Sequence, residues 1–417
     1  MDFTSVAGIV AEYNPFHRGH GHQLAEIRRT LGPVPVVAVM SGSLTQRGEL
    51  PLWDKWQRAA LALAGGVDLV LELPVTGSLQ SAQGFARTGV SCLAATGVVT
   101  HLSFGCEARD PALLLRLARE QFSPEEWQQA LGQGLSYARA AEALASRRDP
   151  AYQALFTGSN NLLALEYLKA LEAYPGLTPL PVHRSGTAYG EAALERDRLP
   201  SATALRRGIV ERGLTEAACD GLLAAEVPLC RQYLTERKPG FGAGRLDALV
   251  SWTLETAGPG AFARRTQVSE GLEDRIWKNR RAGSFQGIVE ACSTKRYPAS
   301  RIRRLLWQWL LSSEAVPFAG AARESPRYLR VLGFRETGRQ LLRTMKQRAA
   351  LPVLTGIQKD TLAKAPDEVF RQQLALDLRA QDLYDLLTEG KITGRDYKNK
   401  PVMAPCPPER GKGPACG

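Results

Sequence analysis

Short apolar runs alternate with segments of helical periodicity through the first quarter of the chain. The runs cover residues 6–11, 34–40, 67–74 and 100–107. The first run lacks the polar alternation of a half-exposed strand, which indicates a strand buried on both faces of a parallel sheet. The run at 34–40 is predicted as a second buried strand, 67–74 as the third strand, and 100–107 as a fourth strand with the loop after it. Helical spacing follows the first run, with Leu24, Ile27 and Leu31 on one face, and recurs at 54–64 and 81–95. This order predicts a doubly wound α/β sheet with helices on both faces.

The pattern changes beyond Pro111. Ser123-Pro-Glu-Glu126 combines a capping box with a proline at the first helical position, and so marks a helix start. Residues 180–184 are predicted to return to the sheet as a fifth strand, and Ser201 to begin another helix. From about residue 210 onward the periodicity is almost only helical.

The chain has 417 residues, which is long for one hydrophobic core. We therefore predict an α/β domain over residues 1–205 and a mostly α-helical C-terminal domain over residues 206–394. Residues 395–417 are rich in Lys, Pro and Gly and have no apolar periodicity, so they are predicted to form a flexible tail.

Lysine and arginine outnumber aspartate and glutamate by 53 to 42, which gives a formal net charge of +11. Such an excess favours a polyanionic partner, because phosphate contacts release counterions; a basic surface with no nucleic-acid role is the alternative. No stretch reaches the roughly 20 apolar residues that span a bilayer, so we expect no membrane segment. The seven cysteines are scattered and form no Cys-x-x-Cys pair, which argues against a zinc site or a disulfide framework. We expect a cytoplasmic protein with free thiols.

Candidate chemistry concentrates where the first predicted strand ends. Asn14-Pro15 breaks the strand, and His17-Arg18-Gly19-His20 follows where a helix should begin. Imidazoles beside a helix N-terminus offer a phosphate hydrogen-bond donors and a favourable dipole, and a glycine lets the phosphate approach the backbone. Three of the five histidines, His17, His20 and His22, lie within six residues. We predict a triphosphate site here; a loop with surface histidines is the alternative.

Ligands of doubly wound sheets bind beyond the carboxyl ends of the strands. The loops at 12–20, 41–49, 74–81 and 105–107 are therefore expected to face one crevice.

Further segments stand in an order that points to one family. They are Glu12-Tyr-Asn-Pro-Phe-His17, Ser41-Gly-Ser-Leu-Thr-Gln-Arg-Gly-Glu49, Asp54-Lys-Trp-Gln-Arg-Ala59, Gly66-Val-Asp-Leu-Val-Leu-Glu-Leu-Pro74, Phe104-Gly-Cys-Glu107, Ser159-Asn-Asn-Leu-Leu-Ala-Leu-Glu-Tyr167, His183-Arg-Ser-Gly-Thr-Ala-Tyr189, Ser201-Ala-Thr-Ala-Leu-Arg206, Thr294-Lys-Arg-Tyr297, Arg301-Ile-Arg-Arg304 and Tyr328-Leu-Arg-Val-Leu-Gly-Phe334. Together they resemble the bacterial tRNA(Met) cytidine acetate ligases, over roughly residues 6–395. The strand, turn and His-x-Gly-His arrangement is also similar to that of other nucleotidyltransferases and of class I aminoacyl-tRNA synthetases.

The resemblance implies a nucleotidyltransferase-like, Rossmann-like sheet followed by a helical region. It implies that the protein activates acetate with ATP as acetyl-adenylate. The acetyl group would then pass to N4 of the wobble cytidine of elongator tRNA(Met), giving N4-acetylcytidine.

By the same resemblance, His17 and His20 would be catalytic and would hold the α- and β-phosphates; helix-capping or core histidines are the alternative. The ATP site carried over by position comprises Val10, Ala11, Glu12, Tyr13, Asn14, Pro15, Phe16, His17, Arg18, Gly19, His20, Gly21, His22, Gln23, Gly105, Asn160 and Arg184. Asn161 fits the pattern as well as Asn160, which we prefer. Gly105 is otherwise an ordinary turn glycine, and Arg184 otherwise forms a surface ion pair.

Four more residues fall near the same crevice. Arg47 and Lys55 are candidates to bind pyrophosphate or acetate, with surface salt bridges as the alternative. Glu12 and Glu72 are candidates to orient basic groups or a Mg²⁺ ion through water, with buried structural carboxylates as the alternative. Mg²⁺ is expected as the counterion of ATP, and no cluster of protein metal ligands is predicted.

The second step requires an RNA base to be splayed into the pocket, which usually relies on stacking and a basic approach surface. The candidates for tRNA contact are Arg206, Arg207, Lys295, Arg296, Arg301 and Arg304. Trp307 and Trp309 follow, and the spacing of Trp309 and Leu305 predicts a buried helix face. We expect these tryptophans in the core rather than stacked on bases. Neither the residues nor the resemblance identifies a protein partner.

Two other functions are compatible with parts of this sequence. A small-molecule nucleotidyltransferase, which joins AMP or CMP to a phosphorylated metabolite, would use the same histidine chemistry but gives no reason for the basic helical half. An RNA-binding factor with a vestigial nucleotide pocket would use only the basic half. Acetate-dependent pyrophosphate exchange distinguishes the ligase from the first rival.

Overall fold

The computed structural model describes residues 3–108, 110–156, 159–183, 201–237, 239–269 and 271–404. Eight strands form one sheet. They are β1 Ala7–Ala11, β2 Val36–Ser41, β3 Leu69–Leu73, β4 His101–Cys106, β5 Thr178–His183, β6 Leu329–Phe334, β7 Val353–Leu354 and β8 Val402–Met403. Their order is β5-β4-β1-β2-β3-β6-β7, and β8 also pairs with β6.

The first five strands are parallel, which confirms the doubly wound sheet and all five predicted strands. β6 is antiparallel to β3, and β7 and β8 run parallel to β6. The strand order reverses at β1, because its neighbours β2 and β4 lie on opposite sides. The carboxyl ends of β1 and β4 therefore border the crevice in which such sheets bind ligands.

Helices flank this sheet and form most of the chain after residue 201. They are α1 Arg18–Leu31, α2 Lys55–Ala64, α3 Val75–Ser78, α4 Ala82–Ala95, α5 Pro111–Arg119, α6 Pro124–Gly132, α7 Tyr137–Arg148, the 3₁₀ helix Pro150–Phe156, α8 Ser159–Leu171, α9 Ala202–Arg212, α10 Glu216–Gly221, α11 Val227–Glu236, α12 Ala243–Glu255, α13 Pro259–Arg265, α14 Leu272–Lys278, α15 Phe285–Cys292, α16 Ala299–Leu311, α17 Phe318–Ala321, α18 Glu336–Arg348, α19 Glu368–Glu389 and α20 Arg395–Lys398. The predicted capping box at Ser123 is present.

Each face of the sheet is covered by its own apolar cluster. Val10, Val37 and Val39 face α4, whereas Ile9 and Ala38 face the opposite side, where α1 and α2 lie. Successive side chains of a strand point to opposite faces, so burial of both sets explains why the sequence shows unbroken apolar runs.

A third cluster joins the helical region to the sheet. It contains Trp307 and Trp309 of α16, which are 1% and 2% exposed, together with Leu44, Val75 and Leu79 from the loops after β2 and β3. The prediction that the two tryptophans belong to the core is confirmed. The boundary at residues 205/206 stays a prediction, and apolar packing continues between the sheet and the helical region.

Two expectations about the C-terminal part are wrong. The segment after residue 210 is not only helical, because β6, β7 and β8 complete the sheet. Residues 395–404 are not a flexible tail, because they form α20 and β8. The strand β6 was not predicted because it is short and Arg330 interrupts its apolar run.

A buried ion network explains the presence of Arg330 inside the sheet. Lys55 Nζ lies 2.9 Å from a Glu72 oxygen and 2.8 Å from Asp396 Oδ1. The Arg330 guanidinium lies 2.6 Å from Asp396 Oδ1 and 3.3 Å from Glu72 Oε2. All four side chains are at most 4% exposed. Two cations and two carboxylates thus neutralise one another, and Asp396 is brought to Lys55 by the segment expected to be a tail.

No helix in the described ranges is long and apolar enough to cross a membrane. The five cysteines within those ranges carry free thiols, as expected: Cys92, Cys106, Cys219, Cys230 and Cys292.

Removing Asp396 should leave two buried cations against one carboxylate. We expect Asp396→Ala to lower the free energy of unfolding by about 3–5 kcal/mol, measured by urea denaturation, because one partner of a buried ion network is lost. Burial opposes ionisation of Asp396, but Lys55 and Arg330 outweigh it and hold its pKa below the usual value. Its contribution is therefore present above the unfolded pKa of about 4 and is lost as the pH falls through the lowered value.

The control is Asp360→Ala, which removes an exposed ion pair with Lys364. Equal losses of stability in the two variants would contradict the structural importance of the network.

Candidate active site

His17 and His20 form a capping box at the start of α1. The N–H of Gly19 donates to His17 Nδ1 at 3.0 Å, and the N–H of His17 donates to His20 Nδ1 at 3.2 Å. The ring centroids lie 3.9 Å apart, with the planes tilted by 35°. A capping box usually pairs Ser or Thr with Glu or Gln. Here two imidazoles make both bonds, so the helix start itself fixes the position of the rings.

The capping bonds also fix the protonation of the neutral rings. A ring nitrogen that accepts a hydrogen bond carries no proton, so the proton of each neutral imidazole lies on Nε2. Capping uses Nδ1 and a phosphate would use Nε2–H, so the capping role does not exclude ligand contact. His17 is only 4% exposed, whereas His20 is partly exposed. An anion at the positive end of the α1 dipole therefore meets His20 first.

The loop between β1 and α1 is anchored on both sides. Tyr13 and Phe16 are buried in the cluster beneath α1, at 1% and 0% exposure. The side-chain oxygen of Asn14 accepts a hydrogen bond from the Leu52 N–H at 2.9 Å. The main-chain oxygen of Asn14 accepts one from Arg206 at 2.8 Å. This anchoring holds the loop that carries the histidines.

A buried guanidinium joins the ends of two neighbouring strands. Arg58 donates to the main-chain oxygens of Trp53 (3.1 Å), Glu12 (2.8 Å), Ser41 (2.9 Å) and Gly42. Burial lowers the pKa of Arg58 to about 10. It remains a cation at neutral pH and lies where β1 and β2 end. Arg58 was not predicted as a site residue, because its neighbours in the sequence do not distinguish it from a surface arginine of α2.

Residues 45–49 form a loop that contacts the first one. The Gln46 N–H donates to a Glu12 carboxylate oxygen at 2.7 Å, and the Gln46 side chain reaches the Gln80 main-chain oxygen at 3.3 Å. Glu49 pairs with Arg206 at 2.8 Å. Three of the four predicted loops, 12–20, 41–49 and 74–81, are thus linked by hydrogen bonds.

Arg47 belongs to the same cluster of charges. Its pKa is lowered by burial, and the nearby carboxylates of Glu12 and Glu49 oppose that shift. Its contact with pyrophosphate or acetate stays a prediction.

The helical region holds the loop at 45–49 from the other side. Arg304 donates to the Gln46 main-chain oxygen at 3.0 Å, and the Trp307 indole donates to the Gly48 oxygen at 2.9 Å. Burial lowers the pKa of Arg304 to about 10. α16 is therefore hydrogen-bonded to a loop that also bonds Glu12 at the end of β1.

At the end of β4, two adjacent asparagines have different roles. Asn161 is 3% exposed, and its side-chain oxygen accepts the N–H groups of Glu107 and Ala108 at 2.8 and 3.0 Å. Asn160 is partly exposed and donates its amide NH₂ to Glu107 Oε1 at 2.5 Å. Asn161 thus holds the backbone after β4, which supports Asn160 as the residue that contacts a ligand. The bond to Glu107 makes the Asn160 carbonyl the group that would accept a ligand hydrogen bond.

The interpretation of Lys55 as a pyrophosphate or acetate ligand is wrong. Lys55 is 0% exposed and is paired with Glu72 and Asp396. Glu72 is likewise a buried structural carboxylate, which was one of the two alternatives. Both residues have charges that are already compensated inside the fold.

The remaining predicted ATP-site residues lie around the first strand and helix. The Val10 oxygen accepts a bond from the Tyr167 hydroxyl at 3.4 Å, and Ala11 ends β1. Pro15 is buried in the loop, and Gly19 lies in the first turn of α1. Gly105 is partly exposed near the end of β4.

Other residues predicted for the ATP site lie in positions less suited to contact a nucleotide. Arg18 and His22 are exposed on α1. Gly21 faces Leu223, since an added Cβ would lie 3.0 Å from that side chain. Gln23 donates to Ser103 of β4 at 3.2 Å, which ties α1 to the other side of the crevice. Arg184 lies outside the described residues.

The six tRNA candidates lie in three different surroundings, two residues in each. Arg206 and Arg304 hold the loops beside the crevice, as described above. Arg207 is exposed and paired with Glu211 at 2.7 Å, and Lys295 is also exposed. Arg296 and Arg301 lie over the Tyr297 ring, with guanidinium carbons 5.8 and 5.1 Å from its centroid. Contact with tRNA stays a prediction for all six.

Metal-binding residues do not gather in this part of the molecule. Across the described ranges, no three His, Cys, Asp or Glu side chains converge in a way that would hold a metal ion.

Comparison with known proteins agrees with this geometry. Residues 4–400 match the family described as HIGH Nucleotidyl Transferase. The tRNA(Met) cytidine acetate ligase of Acetivibrio thermocellus is 33% identical over 397 residues, which cover 91% of this chain and 94% of that protein. The tRNA(Met) cytidine acetate ligase of Fervidobacterium nodosum is 33% identical over 423 residues, covering 95% and 99% of the two chains. The chain belongs to the tRNA(Met) cytidine acetate ligase family.

Solved structures of this family support the assignment. The crystal structure of apo Thermotoga maritima TmcAL matches with a TM-score of 0.87 and 31% identity, over 97% of this chain and all of that one. TmcAL bound with alpha-thio ATP matches with a TM-score of 0.85 at the same identity and coverage. The likeness extends over the sheet and the helical region together.

The capping roles of the two histidines can be separated from their other functions by substitution. Asparagine is a good N-cap residue and glutamine is usual at the third helical position, so His17→Asn and His20→Gln should keep the capping bonds. We expect both variants to unfold at nearly the wild-type urea concentration. His17→Ala should lose about 1 kcal/mol of stability, because the Gly19 N–H loses its acceptor. Equal stability of His17→Ala and the wild type would contradict the capping role.

Proposed function

We propose that the protein is an ATP-dependent ligase that acetylates N4 of a cytidine in tRNA(Met). The observation that carries this proposal is the capped pair of His17 and His20 at the switch point of the sheet, in a chain that matches tRNA(Met) cytidine acetate ligases along almost its whole length. The likeness to TmcAL bound with alpha-thio ATP supports ATP as the nucleotide.

In the first step an acetate oxygen attacks the α-phosphorus of ATP, and the bond to the departing pyrophosphate breaks. No protein nucleophile is needed, so the protein must align acetate and neutralise developing charge. The Nε2–H groups of His20 and His17 donate to the α- and β-phosphate oxygens at the positive end of the α1 dipole. The buried cation Arg58 and the partly buried Arg47 add positive potential at the same ends of β1 and β2.

The nucleoside part of ATP lies at the end of β4 in this proposal. Gly105 lets the ribose or base approach the backbone, and the Asn160 carbonyl accepts a hydrogen bond from a ribose hydroxyl or the adenine amine. Arg184 remains a candidate to hold phosphate or the acetate carboxylate. These roles follow from the position of Asn160 beside Glu107 and from the resemblance.

In the second step the N4 amine of cytidine attacks the acetyl carbonyl carbon, the bond to AMP breaks, and the amine loses a proton. We propose that the cytidine is the wobble base of elongator tRNA(Met) and that the basic helical region docks this RNA. We further propose that the protein acts in the cytoplasm, which is consistent with a tRNA substrate.

Mg²⁺ accompanies ATP in this proposal chiefly as its counterion. Of the two carboxylates considered as orienting groups, Glu72 is paired with Lys55 and Arg330, and Glu12 accepts the Gln46 N–H. This donor set fits an ion held by triphosphate oxygens and water better than one held directly by protein ligands. No observation favours the small-molecule nucleotidyltransferase, since the relatives compared above are tRNA(Met) cytidine acetate ligases.

The test is a reaction of purified protein with ATP, acetate and tRNA(Met). We expect N4-acetylcytidine by mass spectrometry of the digested tRNA, and none when ATP or acetate is omitted. His20→Glu should lower kcat by at least roughly 10²–10³-fold, because a carboxylate keeps the capping bond but cannot donate to a phosphate. Absence of N4-acetylcytidine, beside a ligase that gives product under the same conditions, would refute the proposed function.

Glu107 should act as a positioning residue for Asn160. In Glu107→Gln the amide can donate to the Asn160 carbonyl as well as accept from its NH₂, so Asn160 is no longer held with its carbonyl outward and its NH₂ can occupy the place where ATP needs an acceptor. We expect the KM for ATP in acetate-dependent pyrophosphate exchange to rise about 3- to 10-fold, with stability nearly unchanged. Glu172→Gln, an exposed change beyond the end of α8, is the control. An unchanged KM for ATP would show that Glu107 does not orient a ligand contact.

A further inference from the structure

The helical region carries a strongly basic segment that extends beyond the predicted tRNA candidates. Residues 272–304 contain nine Lys or Arg and three acidic residues, Glu273, Asp274 and Glu290. Four of the nine, Arg275, Lys278, Arg280 and Arg281, belong to α14 and the turn after it, which sequence analysis did not single out. Lys278 and Arg281 are exposed.

Hydrogen bonds place the two halves of this segment side by side. Arg275 of α14 donates to the Cys292 main-chain oxygen at 2.9 Å, three residues before Lys295. Arg301 of α16 donates to the Ser269 hydroxyl at 2.7 Å, just before α14. α14 therefore lies against the segment that carries Lys295, Arg296 and Arg301. One turn further along α16, Arg304 reaches the loop beside Glu12.

An exposed indole lies at the outer end of this surface. Trp252 of α12 is 70% exposed, more than any other large apolar side chain among the described residues. Glu255 lies one helical turn after Trp252, so the two side chains share a face of α12. Glu255 pairs with Arg280 at 2.9 Å and with Arg281. The ion pairs thus bring the exposed indole next to the turn after α14.

Aromatic rings recur along the same surface in contact with guanidinium groups. The Arg280 guanidinium carbon lies 4.2 Å from the Trp277 ring centroid. Arg296 and Arg301 lie over Tyr297. Trp277 and Tyr297 are partly exposed. Accessible rings alternating with cations are the pattern that binds unpaired nucleotides, because bases stack on rings while phosphates contact the cations.

We propose that Trp252, Lys278 and Arg281 form an RNA-docking surface continuous with Lys295, Arg296 and Arg301, and that an unpaired base stacks on Trp252. This inference rests on the proposed function, which supplies tRNA as the partner. The excess of nine basic over three acidic residues in this segment favours RNA over a protein as the occupant, since a polyanion is the complementary charge. Trp252 can stack on a base because it is exposed, whereas Trp307 and Trp309 are buried in the core.

The test measures tRNA binding by filter retention at several salt concentrations, which requires no acetyl transfer. We expect Trp252→Ala to raise the Kd for tRNA(Met) about tenfold, and Trp252→Phe to restore most of the affinity, because phenylalanine keeps an aromatic face. Arg281→Ala should reduce the salt dependence of log Kd by about one unit. Tyr137→Ala, which truncates an exposed ring stacked on Trp127 in another part of the fold, is the control.

Acetate-dependent pyrophosphate exchange without tRNA should be unchanged in all these variants. An unchanged Kd and salt dependence in Trp252→Ala and Arg281→Ala overturns the docking surface, including the case in which these variants alter self-association instead. Trp252→Phe binding as weakly as Trp252→Ala overturns the stacking contact. If Trp252 governs tRNA affinity while no N4-acetylcytidine forms, the proposed function fails and the surface stands. If Trp252→Ala acetylates tRNA with an unchanged KM, the surface fails and the function stands.

Discussion

The site depends on one interaction, the capping box formed by the two imidazoles of His17 and His20. Four atoms make two hydrogen bonds, and these bonds satisfy helix N–H groups, set both rings near each other and assign their protons to Nε2. A ring that caps a helix cannot turn without breaking the cap. The donors that would meet a nucleotide are therefore positioned before any ligand arrives, which is the condition for electrostatic stabilisation of a transition state.

Around the capping box, hydrogen bonds lead from the crevice to the helical region. Glu12 holds Gln46, and Gln46 accepts from Arg304. On the other side Asn14 and Glu49 share Arg206. Arg206 and Arg304, which the sequence offered as candidates for RNA contact, thus hold loops in place. A guanidinium with several donors can satisfy backbone oxygens and a carboxylate at once.

The five parallel strands and the histidine pair were predictable from the sequence, because both depend on local pattern. Strands buried on two faces give unbroken apolar runs, and the start of α1 follows directly from Asn14-Pro15. The roles of Arg58, Lys55 and Asp396 were not predictable, because each depends on residues far along the chain. Lys55 and Asp396 are in contact although they lie 341 positions apart in the chain, and no local signal marks either one as buried.

The two asparagines show the same limit on a smaller scale. Asn160 and Asn161 are adjacent and chemically identical, and only the direction in which α8 presents each one separates them. Asn161 points to the backbone after β4, whereas Asn160 meets Glu107. The sequence pattern shows that an asparagine is present. Which of the two is accessible depends on how α8 is rotated about its axis relative to β4.

The position of Asp396 has a consequence for synthesis of the chain. Lys55 is made early, yet one of its two carboxylate partners belongs to α20, and the neighbouring strands β6 and β8 come from residues beyond 328. Before residues 329–396 have been synthesised, the edge of β3 has no β6 to pair with. At the same stage Lys55 can pair with Glu72 but not with Asp396, so one of the two carboxylates that compensate its charge is missing. The nucleotide-binding half therefore completes its folding only after the helical half has emerged.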